Sequence, residues 1–288
     1  MKASYLGAAV AVLVSLHLLW AGAAQAGVIA SEAFDYDTGA LVGSDGGVGW
    51  GSVGQNSSSA WHINQNRADG QVVTGSLAYS DGVNALFTTG NSLTGSPTAS
   101  DVVDIQRNLD QNFFLGAGES FWFSALMATD NAATRNRLIL SEDQSVGDPG
   151  FVIGLDDKIT VAPAGNSNGG SGTPLAAAAI NTTYLVVGQY TAGSSNASLQ
   201  VWVNPEIGGA APTGALGSDS ISITGEELTM NDDPLNNVRW RVEGNTAGTA
   251  SLDEIRIGHT FASVTPIPEP ASIGIVSLGA LALIRRRR

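Results

Sequence analysis

Cysteine is absent from this chain of 288 residues. Disulfide bonds therefore contribute nothing to its stability. Histidine is also scarce, with three in the sequence. His17 lies in the apolar N-terminal segment, which leaves His62 and His259 for the rest of the chain. Two separated histidines without cysteine supply too few nitrogen or sulfur ligands, so we expect no zinc site.

Basic residues are few, and several of them lie at the two ends. Lys2 and the terminal arginines 285–288 account for five of the 13 Lys and Arg residues. The C-terminal tail holds only one of the 26 acidic residues, Glu269. Subtraction leaves the body with 8 basic and 25 acidic residues and a net charge of about −17. Such a surface repels DNA, RNA and anionic lipid, so we expect no nucleic-acid partner.

Residues 1–26 have the pattern of a secretory signal peptide, which we expect to be helical. Lys2 gives a positive start, and residues 6–20 are nearly all apolar. Ala24 and Ala26 form the small-x-small pattern that signal peptidase accepts, so Gly27 becomes the first mature residue. The alternative is a retained anchoring helix, but the apolar run is shorter than the roughly 20 residues that a bilayer span needs.

Residues 266–288 form a short tail of three parts. Pro268, Glu269 and Pro270 come first, an apolar segment follows at residues 271–284, and the chain closes with Arg285, Arg286, Arg287 and Arg288. As a helix the apolar segment measures about 21 Å, which is short for a hydrocarbon core of about 30 Å. The arginines favour a cytoplasmic end, so the tail predicts a transient inner-membrane anchor for a body that has been exported.

This tail resembles the PEP-CTERM sorting signal of Gram-negative bacteria. The resemblance rests on Pro268–Glu269–Pro270, the apolar segment and the arginine cluster, in that order, and covers about the last twenty residues. It implies that exosortase, a membrane-embedded enzyme, recognises and removes the tail. The expected destination is the cell surface or the extracellular (biofilm) matrix. An ordinary tail anchor, kept as a transmembrane helix, is the alternative.

Sustained helical periodicity is lacking between the two ends. Residues 27–265 form short β-type segments punctuated by Gly, Asn, Ser and Asp. Without helices to cover a parallel sheet, this pattern predicts one all-β domain, an antiparallel β-sandwich of the jelly-roll kind. The only helices expected are the signal peptide and the short C-terminal apolar segment.

Alternation along the chain places individual strands. Residues 119–128 predict a strand buried on both faces, and residues 183–190 and 198–204 predict a hairpin. Near residue 240 one face carries Val238, Trp240 and Val242 and the other carries Arg239 and Arg241. Further strand candidates are residues 71–79, 101–109, 137–142, 150–155 and 251–257.

Three stretches of the body, residues 32–50, the predicted hairpin and residues 251–258, resemble the LamG-like, concanavalin A-like sandwiches of secreted bacterial proteins. The resemblance implies a lectin- or glucanase-type fold. Retaining glycosidases of this fold carry two carboxylates about 5–5.5 Å apart. Glu32, Asp35 and Asp37 come nearest to that pattern, but Glu32 and Asp35 diverge on a strand, as do the adjacent Asp253 and Glu254. We expect these acids to have strand-edge or ion-pairing roles.

The histidines do not indicate catalysis either. Neither His62 nor His259 lies near a Gly-x-Ser-x-Gly elbow. We expect His62 at a loop or strand edge and His259 just after the final strand. The sequence therefore predicts no catalytic residue and a protein that is not an enzyme. A secreted glycoside hydrolase or other hydrolase, with its acid and base on separate strands, remains the alternative.

Carbohydrate is the ligand that the composition favours, because sandwich lectins stack sugars on exposed aromatic rings. The candidates are Trp50 in a glycine-rich loop, Trp61 with nearby Asn64, and Trp202 on the second strand of the hairpin. Exopolysaccharide is the expected partner. A purely structural domain that binds nothing is an alternative that the sequence leaves open.

Calcium is the one expected cofactor, as a structural ion. Hard cations bind carboxylate oxygens on flexible loops. Asp156 and Asp157 form one candidate pair, and Asp232 and Asp233 form another. Neither has the spacing of an EF-hand loop, so solvated turn acids are the simpler interpretation.

Processing at both ends predicts the mass of the mature protein. We expect the protein extracted from the cell surface to begin at Gly27 and to lack Arg288, because signal peptidase and exosortase remove the flanking segments. Intact mass spectrometry measures both ends at once. A surface product that retains Arg288 contradicts exosortase-type removal.

Overall fold

The computed structural model describes residues 27–51, 59–64, 67–97, 101–113, 115–142, 150–164, 173–194, 196–212, 220–225, 235–244 and 248–268. Several predicted features lie outside these residues: the signal peptide, the C-terminal apolar helix, Ala24, Ala26, Asp232, Asp233, Glu269, Pro270, Arg285, Arg286, Arg287 and Arg288. Gly27 and Pro268 are the first and last described positions.

The described residues form two antiparallel sheets. The larger sheet has nine strands in the order β14, β13, β12, β7, β16, β5, β4, β2, with β1 paired to β16. Its strands are β1 (Val28–Glu32), β2 (Gly39–Ala40), β4 (Gln71–Val73), β5 (Ser92–Gly95), β7 (Ser120–Thr129), β12 (Tyr184–Thr191), β13 (Ala197–Val203), β14 (Ser220–Gly225) and β16 (Ala250–Gly258).

The smaller sheet has seven strands in the order β11, β10, β9, β8, β15, β6, β3. Its strands are β3 (His62–Ile63), β6 (Val103–Phe113), β8 (Arg135–Ser141), β9 (Gly150–Leu155), β10 (Lys158–Pro163), β11 (Thr173–Ala177) and β15 (Leu235–Glu243). A single helical turn, α1 (Phe261–Val264), follows β16. The prediction of an all-β antiparallel sandwich is therefore confirmed.

Strand predictions based on alternation agree with the structure. β7 is buried on both faces along nearly its whole length. β12 and β13 pair as the predicted hairpin, with Val187 opposite Trp202. In β15 the predicted inner face is confirmed, since Trp240 is fully buried in the core. The prediction for residues 71–79 was too long, because β4 ends at Val73 and the chain then leaves the sheet to cover it.

The main core lies between the sheets. Phe121, Phe123 and Tyr190 from the larger sheet meet Phe151 from the smaller one, with the Phe123 and Phe151 ring centroids 4.9 Å apart. Gly188 makes this packing possible, because a Cβ there would lie 2.1 Å from Cζ of Phe123. The glycine in the middle of β12 is thus explained by the aromatic ring beside it.

A buried ion pair joins the two sheets. Arg107 of β6 points into the sandwich, and its Nη1 lies 2.5 Å from Oε2 of Glu32 on β1. Both side chains are at most 1% exposed. A second guanidinium nitrogen contacts Oδ1 of Asp45 at 2.8 Å. Glu32 therefore has an ion-pairing role, as expected from the sequence.

Aromatic rings surround this ion pair. The guanidinium carbon of Arg107 lies 4.9 Å from the Trp50 ring centroid and 5.9 Å from that of Trp61. Glu32 also accepts hydrogen bonds from Trp61 Nε1 at 3.0 Å and from the Tyr36 hydroxyl at 2.7 Å. Burial and the Glu32 charge raise the pKa of Tyr36 far above its usual value. The buried charges are thus compensated by hydrogen bonds and cation–π contacts.

Asn136 of β8 forms a second polar contact between the sheets. Its Nδ2 donates to the carbonyl oxygens of Ala128 at 3.0 Å and Ser251 at 2.8 Å, both on the larger sheet. Its Oδ1 accepts from Trp240 Nε1 at 2.7 Å. A buried amide with three partners sets the spacing of the sheets as well as stabilising them.

The start of β1 and the end of β16 lie side by side. The backbone N–H of His259 donates to the carbonyl of Gly27 at 2.7 Å, just where β1 begins to pair with β16. His259 follows the final strand, as expected. After His259 the chain runs across the larger sheet, where the Pro266 carbonyl accepts a hydrogen bond from the Phe87 N–H at 2.8 Å. Within the described residues, no helix has the length and apolar character needed to cross a membrane.

The buried ion pair generates a stability prediction. Arg107→Met leaves the Glu32 carboxylate buried without its cation, so we expect the free energy of unfolding to fall by about 3–5 kcal/mol. The double variant Arg107→Met/Glu32→Gln removes the stranded charge and should lose less. Urea unfolding measures both.

The matched control is Lys158→Met. Lys158 Nζ lies 3.9 Å from Asp157 Oδ1 in a pair whose side chains are 45% and 65% exposed. Exposed pairs contribute about 0–1 kcal/mol, so this variant should remain close to the parent. A similar small loss for Arg107→Met contradicts the structural role of the buried pair.

Candidate functional site

The outer face of the nine-stranded sheet is apolar and covered. Its outward side chains belong to a second hydrophobic cluster, in which parts of the connecting segments and α1 lie over the sheet. The cluster consists of Leu86, Trp122, Leu126, Leu185, Val187, Trp202, Ile207, Phe261 and Val264. Ser124 fixes α1 in place through a 2.6 Å hydrogen bond from its hydroxyl to the Val264 carbonyl. This face is occupied by the protein's own chain.

Trp202 lies within that cover. Its ring stacks on Trp122, with centroids 5.6 Å apart and planes inclined by 18°, and the side chain is 8% exposed. The sequence correctly placed Trp202 on the face opposite Val201 and Val203. The expectation that this face is open was wrong, because Ile207 and Leu86 pack against it.

Trp50 and Trp61 are likewise buried, at 9% and 1% exposure, and Asn64 is 7% exposed. The expectation of exposed rings was wrong for a clear physical reason: both indoles surround Arg107. Their N–H groups are also engaged, that of Trp50 with the Ser31 carbonyl at 2.8 Å and that of Trp61 with Glu32. Sugar stacking on either ring would require this packing to open.

The outer face of the seven-stranded sheet is different, because its central strands carry polar and charged side chains. We call the outward polar and charged residues of β6, β15 and β8 the polar face. They are Asp104, Gln106, Asn108, Asn237, Arg239, Arg241, Glu243, Arg135, Arg137 and Ser141. The inward residues of the same strands, such as Ile105, Val238 and Leu138, belong to the main core.

Ion pairs order much of the polar face. Arg239 holds Asp104 in a bidentate contact, with Nε to Oδ1 at 2.6 Å and Nη2 to Oδ2 at 2.5 Å. Glu243 bridges two guanidiniums: one oxygen contacts Arg241, and the other lies 2.9 Å from Nη1 of Arg137. Planar, bidentate pairing fixes these side chains in one geometry. The face is therefore largely preorganised.

At the edge of the polar face, His62 of β3 lies beside Gln106, with the two Nε2 atoms 3.0 Å apart. The position of His62 on an edge strand agrees with the sequence prediction. Burial lowers the pKa of His62 below its usual value, although a contact with the Ala60 carbonyl opposes this. Because the amide nitrogen of Gln106 can only donate, His62 Nε2 accepts this hydrogen bond, and Nδ1 carries the proton that faces the Ala60 carbonyl.

Two amide oxygens of the polar face are buried without a hydrogen-bond partner in the described part of the chain: Gln106 Oε1 and Asn237 Oδ1. The residues themselves are 2% and 0% exposed. Asn237 uses its amide nitrogen to donate to Asn108 Oδ1 at 3.1 Å, which orients its free oxygen. Unsatisfied buried acceptors are costly, so they mark positions where a ligand donor or ordered water stabilises the protein.

An apolar strip borders these polar groups. Across the sheet from Arg239, the register places Ile139 on β8, Val152 on β9 and Ala162 on β10. In the next row Gly154 lies beside Arg137, and the Thr160 side chain occupies the space next to the glycine, 2.7 Å from where a Cβ would stand. A flat apolar strip beside amide and guanidinium groups matches the two kinds of surface that a sugar ring presents.

The predicted acids do not meet at one place. Asp156 and Asp157 lie in the turn between β9 and β10, where Asp156 Oδ1 accepts the Lys158 N–H at 3.1 Å. Among the described residues, no group of His, Asp or Glu is arranged to hold a metal ion. Since Asp232 and Asp233 lie outside those residues, the calcium site stays a prediction.

Asp253 and Glu254 adjoin a bulge in β16 and face different partners. Glu254 pairs with Arg256 at 2.5 Å, whereas Asp253 accepts hydrogen bonds from the Ser76 hydroxyl at 2.5 Å and the Leu77 N–H at 2.7 Å. Asp253 thereby holds the segment after β4 against the larger sheet. Of the expected strand-edge or ion-pairing roles, Glu254 has the ion-pairing one, whereas Asp253 binds backbone and hydroxyl donors.

The sequence prediction missed Gln106, Asn237 and Arg137 as functional candidates. One signal was available, because Arg239 and Arg241 alternate with the core residue Trp240 and so must share an outer face. Their neighbours on β6 and β8 could not be identified from sequence alone, because cross-strand register depends on pairing between distant segments.

Residues 266–288 match the family described as the PEP-CTERM protein-sorting motif. The chain carries a PEP-CTERM sorting motif. The motif indicates an exported surface protein that exosortase processes. No curated protein matches the sequence of the chain.

Several solved structures have a similar overall fold. The VIP36 exoplasmic/lumenal domain, in its Ca2+/Man3GlcNAc-bound form, is 13% identical with a TM-score of 0.41, over 61% of this chain and 81% of VIP36. The Emp47p carbohydrate recognition domain is 8% identical with a TM-score of 0.40, over 78% of this chain and 96% of that domain. A sialidase is 9% identical with a TM-score of 0.39, over 65% of this chain, but the match covers only 17% of the sialidase.

Asp253 generates a prediction about pH. Burial raises its pKa from 3.8 to about 7, although hydrogen bonds from Ser76 and Leu77 act to lower it. The folded protein thus holds a proton that the unfolded chain releases, so stability is greatest at acid pH and falls as the pH rises through 7. The unfolding free energy at acid pH exceeds that at neutral pH by at most roughly 4 kcal/mol from this group.

Urea unfolding between pH 4 and pH 8 measures this effect. We expect the fall in unfolding free energy to be markedly shallower in Asp253→Asn than in the parent. It should not vanish, because burial also raises the pKa of Glu254 and acts in the same direction. Parallel curves for the parent and the variant contradict the assignment to Asp253.

Proposed function

We propose that this protein is a non-catalytic carbohydrate-binding protein of the cell surface or extracellular matrix, and that it binds sugar on the polar face. The observation that carries the proposal is the pair of buried, unpartnered amide oxygens, Gln106 Oε1 and Asn237 Oδ1. Sugar hydroxyls are the donors that such acceptors match.

The chemical contrast between the two outer faces supports this choice of surface, although the central side chains of both faces are buried. The face of the larger sheet is covered by an apolar cluster, and the candidate indoles Trp50 and Trp61 are engaged with Arg107. The polar face instead combines fixed amides and guanidiniums with the apolar strip of Ile139, Val152 and Ala162. Groups fixed before the ligand arrives lose little entropy on binding.

The same geometry favours binding over hydrolysis. The two carboxylates of the polar face are Asp104, held by Arg239, and Glu243, held between Arg137 and Arg241. A general acid must reach the glycosidic oxygen, whereas both of these carboxylates are engaged by guanidinium groups. We therefore propose a role in binding exopolysaccharide without cleaving it.

The sorting motif supports delivery to that polymer. We propose that signal peptidase removes residues 1–26 and that the tail anchors the body at the inner membrane until exosortase acts. The last described residues before the tail pack on the larger sheet, where Ile267 adjoins its apolar cluster, and not on the polar face.

A glycan array probed with the exported protein and its Gln106→Leu variant tests the proposal. We expect the parent to bind one class of polysaccharide and the variant to bind about tenfold more weakly, because it lacks the amide but keeps the side-chain volume. Gln200→Leu is the matched control, since Gln200 lies half-buried on the outer face of the other sheet. It should bind like the parent.

Circular dichroism confirms that both variants are folded. Absence of binding by the parent to every glycan contradicts the proposal. If Gln106→Leu binds as tightly as the parent, the polar face is not the binding surface. Release of reducing sugar from a bound glycan overturns the non-catalytic role and favours a hydrolase.

A further inference from the structure

Positive charge is concentrated on one surface of this acidic protein. The body has eight basic residues against 25 acidic ones once the ends are removed. Four of the eight, Arg135, Arg137, Arg239 and Arg241, lie on the outer face of two adjacent strands, β8 and β15.

The arrangement of these arginines is unfavourable for the protein alone. The strand register places Arg241 directly opposite Arg137, and like charges at directly opposed positions destabilise a sheet. Burial lowers the pKa of Arg137, and the charges of Arg241 and Arg135 act in the same direction, while Glu243 and Asp156 oppose them. A single carboxylate, Glu243, contacts both Arg137 and Arg241.

Two guanidinium groups retain capacity for an anion. Arg241 Nε is buried and has no hydrogen-bond partner in the described chain; the nearest carboxylate oxygen, on Asp104, is 3.9 Å away. Arg135 is exposed, and no ion pair is found for it among the described residues. Arg239 already contacts both carboxylate oxygens of Asp104, so it contributes little to binding a ligand anion. The excess charge therefore lies at the end of the polar face formed by Arg135, Arg137 and Arg241.

A second, independent observation marks the same face as a ligand site. Gln106, which is 2% exposed, has a side-chain oxygen without a partner, and it lies opposite Arg239 in the register between β6 and β15. A ligand that satisfies this acceptor must carry hydroxyl or amide donors. A ligand that satisfies the arginines must also carry an anion. The two requirements together describe a hydroxylated, anionic molecule.

We infer that the ligand of the polar face is an acidic polysaccharide whose uronate carboxylates bind at Arg135 and Arg241, an inference that rests on the proposed carbohydrate-binding function. The planar fork of a guanidinium matches a carboxylate in two parallel hydrogen bonds. The charge of Arg137 adds to the attraction. General electrostatics opposes the complex, since a body of about −17 repels a polyanion, so recognition must be local.

Polygalacturonate and its fully methyl-esterified form are matched probes, because esterification removes the carboxylate charge and leaves the sugar backbone unchanged. We expect the exported protein to bind the acid form at least about tenfold more tightly, the effect of losing one charge-assisted contact. Equal binding of the two forms overturns the inference and leaves the proposed function intact. So does binding of neutral glycans alone. If the protein binds no glycan at all, both the inference and the proposed function are overturned.

Substitution of Arg135 tests the site directly. This side chain is exposed and has no structural partner among the described residues, so Arg135→Gln should fold normally and bind the acid form about tenfold more weakly. Arg135→Lys keeps the charge and should retain most of the affinity. Arg67→Gln, which removes an equal charge from an exposed residue outside the polar face, is the control and should bind like the parent. If Arg67→Gln and Arg135→Gln lose affinity equally, the assignment of carboxylate binding to Arg135 is overturned.

Discussion

The buried pair of Arg107 and Glu32 is the interaction on which the rest of the arrangement depends. It crosses the sandwich from one sheet to the other, and an isolated charge at either position would be very costly. The cost of burying the two charges is offset by Trp50 and Trp61, which pack on Arg107, and by the Tyr36 hydroxyl, which donates to Glu32. In a protein without cysteine, this cluster and the Asn136 contacts fix how the sheets face each other. The tryptophans that the sequence offers as ligand-binding candidates, Trp50 and Trp61, are instead buried in this cluster.

The two outer faces consequently have different roles. The larger sheet covers its apolar face with its own chain, around the stacked pair of Trp122 and Trp202, and Asp253 holds part of that cover in place. The smaller sheet presents charged and amide groups on β6, β8 and β15, locked by shared carboxylates. The PEP-CTERM motif begins at Pro266, whose carbonyl accepts a hydrogen bond from the Phe87 N–H. The molecule is thus organised as an exported body with one chemically distinctive surface.

Local alternation was sufficient to predict much of this fold. β7, the β12–β13 hairpin and the two faces of β15 follow from period-two patterns in long apolar strands. Short strands such as β2 and β3, of two residues each, carry no such pattern. The site was harder to predict: Trp50 and Trp61 lie in glycine- and polar-rich sequence that is typical of surfaces, and their partner Arg107 is 46 or more residues away along the chain. A buried arginine among tryptophans is a long-range arrangement that no local pattern encodes.

The central claim is that ligand binds the polar face while the covered face stays closed. Indole N–H signals in a nitrogen–proton NMR spectrum test it directly, because Trp202 and Trp122 report on the covered face and the side-chain amides of Gln106 and Asn237 report on the polar face. On addition of oligogalacturonate, the amide signals of Gln106 and Asn237 should shift while the indole signals of Trp122 and Trp202 stay in place. Shifts confined to those two indoles, with the amides unchanged, contradict the account.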